Sequence, residues 1–222
     1  MKAMTMNHAP SLPTGLRAGA LLLATLLGGC GALPDRPARA TLYDFGPVLS
    51  LPQAPADATR LPTLALAEID AGARLESPQI LYRLAYADAN EMRPYGQSRW
   101  SMAPNQLIYQ RLRDALAVQR TVLNREESAT LARSAGRVPR TLRISLDEFS
   151  HYFESPTRSS GLVRLRATLI QSAAGGDSVL AQRSFVVQRP APSADAPGGV
   201  KALAAASDAA IAEVVAWVDQ VR

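Results

Sequence analysis

Apolar positions along this chain recur with two periods, and the switch between them outlines the fold. From Arg140 to Phe149, Leu142, Ile144 and Leu146 alternate with Arg143, Ser145 and Asp147, the spacing of a strand with one covered face. Gly161 to Gln171 alternates likewise, with Val163, Leu165, Ala167 and Leu169 opposite Arg164, Arg166 and Thr168. A third strand is predicted over Val179 to Gln188, and Ala174-Gly175-Gly176-Asp177 before it is a hairpin signal. These three predict an antiparallel group. Upstream, Thr41 to Phe45 predicts a short first strand. Thr63 to Ile69 is apolar on both alternating faces until Glu68, as a strand covered on both sides would be. Gln79 to Tyr86 predicts another strand, followed by a turn at Asp88-Ala89-Asn90. Met92 to Trp100 is extended, and Pro94 and Gly96 mark it as an edge strand or a broken one.

The helical period appears twice with force. Over Pro104 to Gln119, proline suits the first turn, and Leu107, Ile108, Leu112, Ala115 and Leu116 share a face. Over Val200 to Val221, Leu203, Ala204, Ser207, Ile211, Val214, Val215 and Val218 share a face, Lys201, Asp208 and Asp219 stay off it, and Trp217 sits at its edge. A short strand at Thr121 to Leu123 and a short helix from Glu126 to Ser134, ending near Gly136, lie between the two halves. Pro47 to Pro62 and Pro190 to Gly199 are proline-rich loops. Helices on a mixed sheet define an α/β class. The 222 residues suffice for one domain with a sizeable core, and no internal repeat or second hydrophobic span interrupts it.

The first thirty residues do not fit that domain. A basic, proline-bearing stretch ends at Arg17, with Met4 or Met6 as alternative starts, and an uncharged apolar run follows from Ala18 to Leu27. That run is about half the length needed to cross a bilayer core, so residues 1–29 are expected to be an export signal. The run Leu27-Gly28-Gly29-Cys30 resembles the lipobox of bacterial lipoproteins, which implies cleavage between Gly29 and Cys30 and lipidation of the Cys30 thiol. An ordinary secretory signal with a chance cysteine is the alternative. Cys30 is the only cysteine and has no intramolecular disulfide partner. Residues 30–40 then form a small, polar, proline-containing tether, and 41–222 the domain.

Charge changes the picture little. The formal charge of +5 falls to +3 once Lys2 and Arg17 leave with the signal. The remaining arginines alternate along strands as on a solvated sheet face, and no basic run accompanies them, so no nucleic-acid partner is expected. Composition, with 47% hydrophobic and 19% charged residues, is that of a globular domain.

Candidate chemistry is sparse. Any Ser-His-Asp or Cys-His arrangement after the signal would have to use His151, in Phe149-Ser150-His151-Tyr152-Phe153. A histidine at a strand end is usually structural or superficial. Ligands for zinc are lacking, and no glycine-rich phosphate loop of common spacing occurs, so no metal or cofactor is expected. Glu126 and Glu127 are adjacent on a helix, point apart and are expected to be solvated. Arg93-Pro94-Tyr95-Gly96-Gln97-Ser98-Arg99-Trp100 concentrates the residue types that dominate protein contacts, which makes Arg93, Tyr95, Arg99 and Trp100 candidates for partner binding. The competing reading puts Trp100 in the core with the arginines solvated. The two are compatible if Trp100 is buried while Arg93 and Tyr95 face outward.

Behind the lipobox, further motifs carry a family resemblance. They are Leu42-Tyr43-Asp44-Phe45, Ser77 to Arg83, Tyr95 to Trp100 before Pro104, Gln106-Leu107 with Arg111-Leu112, Phe149 with Ser155-Pro156, and Ala202 to Ala206. Together the chain resembles the ABC-type transport auxiliary lipoproteins, the PqiC-like family, from about residue 41 to 220. The resemblance implies a three-layer α/β fold around a mixed β-sheet with flanking helices, similar to the anticodon-binding-domain architecture. It also implies a non-enzymatic lipoprotein on the periplasmic face of the outer membrane. Its partners would be MCE-domain proteins and the permease and ATPase of an ABC-type lipid transport system; a homo-oligomer is compatible with this. Gly31, rather than the Asp that retains many lipoproteins in the inner membrane, points to the outer membrane under the same resemblance. The alternatives are a lipid-anchored periplasmic hydrolase, and another envelope-assembly lipoprotein serving lipopolysaccharide export or peptidoglycan attachment.

Overall fold

The structure, a computed structural model, describes residues 39–47, 60–135, 138–173 and 175–221. The expected export signal, Cys30 and the expected tether up to residue 38 lie outside the described residues. The long strand β7 (Arg140–Phe153) organises the sheet because it is paired along both sides. On one side runs β8 (Ser159–Ala173), antiparallel, and beyond it β9 (Gly176–Pro190). On the other side three short strands follow each other along β7, all parallel to it: β2 (Leu64–Leu66), β3 (Asp70–Ala71) and β4 (Gln79–Leu84). Antiparallel β5 (Arg93–Trp100) extends from β4, and parallel β1 (Thr41–Tyr43) from β5. The two-residue β6 (Val122–Leu123) lies parallel to β2. The result is a mixed nine-stranded sheet flanked by helices.

Alternation decides which face the helices cover. Leu142, Ile144 and Leu146 of β7, Val163, Leu165, Ala167 and Leu169 of β8, and Phe185 and Val187 of β9 are buried on one side. The helices α2 (Pro104–Ala117) and α4 (Ala196–Gln220) share that core through Leu107, Ile108, Leu112 and Leu116 and through Leu203, Ala206, Ala210, Ile211, Val214 and Val218. Each large aliphatic side chain so buried contributes about 1.5–3 kcal/mol. Trp217 closes the stripe of α4 edge-on against Phe185, centroids 6.0 Å apart. The opposite face carries Arg143, Arg164 and Arg166, with Asp147 3.0 Å from Arg166.

The elements differ from the sequence expectation where the register slips. Between Leu66 and Asp70 the chain advances four residues while β7 advances three, from Leu142 to Ser145, so the expected single strand splits into β2 and β3. The strand expected to reach Tyr86 stops at Leu84, and a single helical turn, α1 (Ala85–Asp88), precedes the turn in which Asp88 accepts the Asn90 N–H at 2.8 Å. Strand β5 is indeed irregular, its register against β4 jumping from Arg99 to Pro94 across Gln79 and Leu81. Helix α3 (Arg125–Ala135) opens with a reciprocal capping box, Asn124 and Glu127 each accepting the other's backbone N–H at 2.8 Å, while the carboxylates of Glu126 and Glu127 are solvent-exposed.

The expected loop from Pro190 to Gly199 is only half a loop. β9 runs to Pro190, and α4 begins at Ala196, capped by Asp195, whose carboxylate accepts the Gly198 N–H at 2.8 Å and the Ser193 hydroxyl proton at 2.6 Å. Gly198 and Gly199 carry a loop signature in sequence, yet they sit in the first turn because space demands it. A Cβ at Gly199 would stand 2.4 Å from Nδ1 of His151, and one at Gly198 would stand 2.1 Å from the Ser193 carbonyl oxygen.

Candidate functional site

Residue 147 explains why a strand-end histidine points inward. Leu146 pairs with Leu165 and Glu148 with Arg164, so Asp147 is an extra residue in β7, a bulge. Before it the even-numbered side chains face the core; after it the odd-numbered ones do, bringing Phe149, His151 and Phe153 inward. Simple alternation counted from Leu142 would have sent His151 outward.

His151 is fully buried, at 0% exposure, and both ring nitrogens are bonded: Nδ1 to the Tyr95 hydroxyl and Nε2 to Ser159 Oγ, each at 2.8 Å. The Tyr95 ring lies tilted against that of Tyr82, centroids 4.7 Å apart, and the His151 ring lies 4.3 Å from that of Phe153. Burial pushes the imidazole down to about 4, against a smaller opposing pull from the Asp195 carboxylate. Burial likewise raises the Tyr95 phenol, with smaller contributions from Tyr82 and Asp195. Both groups are therefore neutral at pH 7. A neutral imidazole donates from one nitrogen and accepts at the other, and two hydroxyls that rotate satisfy either tautomer.

The Ser159–His151 contact has the outline of a hydrolytic dyad, and its details argue for another use. A general base works best with a pKa near the operating pH, and this one sits at about 4. Ser159 is itself buried, and the group that orients the ring is a phenol rather than a carboxylate. The chain Tyr95–His151–Ser159 ties β5, β7 and β8 together beneath the start of α4.

That role has a measurable pH signature. The folded-state value lies below the ordinary 6.5, so the unfolded chain binds the extra proton between pH 6.5 and 4. Stability is fully present above that window and falls as pH drops through it, by up to about 1.4 kcal/mol per pH unit. Urea unfolding of the wild type from pH 7 to 4 is expected to show this slope, and His151→Gln, though less stable at pH 7, is expected to lack it.

The four β5 candidates share a strand but not a direction. Trp100 is 1% exposed, edge-on to Phe45 and Phe149 at 5.7 and 5.6 Å. Tyr95, expected outward, turns in to His151 and is half-buried. Arg99 is half-buried, its guanidinium bonded to the carbonyls of Tyr95 and Ser98. Arg93 alone of the four is exposed, paired with the equally exposed Glu91.

Two further features had no local sequence signal. A groove of about 380 Å³ lies between α2 and α4, with Leu116, Ile211 and Val215 in its lining. A larger cavity of about 1030 Å³ lies where β2 and β7 begin and β8 and α4 end. Both are lined by Arg120 and Asp219, which form an ion pair. Among the described residues no group of three or more His, Cys, Asp or Glu could hold a metal ion, and no helix is long and apolar enough to cross a membrane.

A mixed nine-stranded sheet flanked by helices, with a hydrogen-bonded histidine in its core, defines the class of domain. The same fold occurs in the crystal structure of protein XCC0632 from Xanthomonas campestris, with a TM-score of 0.65 at 21% identity, covering 80% of this chain and 94% of that one. Hypothetical protein CT253 from Chlamydia trachomatis is similar with a TM-score of 0.50 at 9% identity, covering 72% of this chain and 96% of that one. No curated protein matches the sequence. The family model for the ABC-type transport auxiliary lipoprotein component matches residues 43–215, and the chain belongs to this family.

Proposed function

We propose that this protein is a non-catalytic accessory lipoprotein that holds an MCE-containing, ABC-type lipid transport assembly at the outer membrane, facing the periplasm. The observation that carries the reading is the family match over residues 43–215, joined to a lipobox that ends at Cys30. Cleavage after Gly29 and acylation of Cys30 would leave the domain on a short tether, so that it works within reach of the bilayer. Gly31 favours the outer membrane over retention in the inner one. The buried, weakly basic His151 supports a binding role over a hydrolytic one. Of the β5 candidates, the exposure of Arg93 supports a partner contact at that residue more than at Tyr95, Arg99 or Trp100.

The test is affinity capture of the native lipoprotein from gently solubilised envelopes, followed by protein mass spectrometry. Co-recovery of an MCE-domain protein with a permease and an ATPase is expected. Recovery of lipopolysaccharide-export or peptidoglycan-attachment proteins in their place would overturn the assignment.

A further inference from the structure

The larger cavity lies at the opposite end of β7 and α4 from His151, and its charge is one-sided. Arg60, Arg120 and Arg140 line it against the single carboxylate of Asp219. Arg120 is buried at 6% exposure; its Nη2 pairs with Asp219, while its Nε has no hydrogen-bond partner. Arg140 bonds the Val221 carbonyl at the end of α4 through one terminal nitrogen, 3.1 Å away. A buried guanidinium with an unmatched N–H calls for an explanation. The rest of the lining is mostly apolar, with Leu61, Val138, Pro139 and Val221 presenting exposed or half-buried surface and Leu169 and Val218 behind them in the core. Past Arg120 the apolar lining resumes in the groove between α2 and α4. Cavities of several hundred Å³ with apolar walls and a few convergent polar groups are the usual form of small-molecule sites.

We propose that this cavity binds an anionic amphiphile: a phosphate or carboxylate head on Arg60, Arg120 and Arg140, and a hydrocarbon chain along the apolar wall of Leu61, Val138, Pro139 and Val221. Guanidinium forks match both anions in geometry and charge, and the apolar wall favours hydrocarbon over water. With one Nη2 hydrogen held by Asp219, the remaining terminal N–H donors of Arg120 are left for the head. A wall without cations would take any hydrocarbon, and cations without the wall would take free phosphate; the combination selects a ligand that has both parts. The inference stands on the cavity and holds whichever transport system the protein serves.

The experiment uses the full lipoprotein purified from membranes in a neutral detergent and native mass spectrometry with added palmitoyl lysophosphatidate. Glycerol 3-phosphate, which is the head alone, and palmitoyl lysophosphatidylcholine, which is zwitterionic, serve as the other arms. One retained lysophosphatidate per chain is expected, with neither comparison ligand retained. Arg60→Gln/Arg140→Gln, which leaves the buried Arg120–Asp219 pair in place, is expected to lower occupancy about tenfold or more. Arg158→Gln, at an exposed ion pair near the other end of the sheet, is expected to bind as wild type. Absence of binding by the wild type, equal retention of either comparison ligand, or undiminished binding by a folded Arg60→Gln/Arg140→Gln protein would each overturn the proposal.

Discussion

Gly161→Val is expected to be among the most damaging single substitutions in the domain, because β8 and α4 touch there backbone to backbone. A Cβ at residue 161 would lie 2.4 Å from the carbonyl carbon of Ala202 and 2.5 Å from the amide nitrogen of Leu203. Those atoms belong to a helix and cannot rotate aside as a side chain could. Helix α4 would have to move away from β8, loosening Leu203, Ala206 and Ala210 from the sheet. Overpacking of this kind costs about 3 kcal/mol or somewhat more, which lowers the melting temperature of a domain this size by roughly 6–12 °C. Gly96→Ala is the matched control: nothing stands within 4 Å of its added carbon, and a change within about 0.5 kcal/mol is expected. Calorimetry of both variants separates a requirement for close approach from a general intolerance of glycine replacement. Equal melting temperatures for wild type and Gly161→Val would mean that α4 does not seat on β8 as described.

The second large effect is on location rather than stability. Cys30→Ala removes the only thiol in the chain and with it the proposed attachment point for acyl chains. Each buried methylene contributes about 0.8 kcal/mol to membrane binding, and one chain alone holds only marginally, so a stable anchor depends on multiple acylation. The variant is therefore expected to lose membrane anchorage altogether, while its domain, residues 41–222, folds and melts as wild type. Membrane permeability is expected to resemble that of the gene deletion despite the presence of folded protein. Fractionation on a density gradient checks the first point and uptake of an excluded dye the second. A fully active, outer-membrane-bound Cys30→Ala protein would separate function from lipidation.

The parts of the fold legible in the sequence are those where neighbours along the chain are also neighbours in space. β8 and β9 share a hairpin, and the alternation along β8 announces its covered face. α2 and α4 carry stripes that tertiary packing largely uses, with Ala115, Ala204 and Val215 half-buried at the margin and Ala202, Ala206 and Ala210 added to the buried face. Legibility fails where one residue shifts a register. Asp147 reverses the parity of β7, and that reversal, invisible in a period-2 pattern, is what carries His151 into the core. Gly198 and Gly199 failed for a different reason: their composition signals a loop, while their cause is the proximity of Ser193 and His151. A better clue was Asp195 followed by Pro197, a helix cap and a first-turn proline. The two cavities could not be read at all, since Arg60, Arg120 and Arg140 come from separate segments that only the sheet brings together.

The proposed membrane anchorage rests on the chemistry of one sulfur atom, that of Cys30. Intact-mass analysis of the protein extracted from membranes tests it most directly. The expected product is a chain that begins at Cys30, with a diacylglyceryl thioether on that residue and an acylated amino group. A chain that retains residues ahead of Cys30, or one that starts there with a free thiol, would contradict the account.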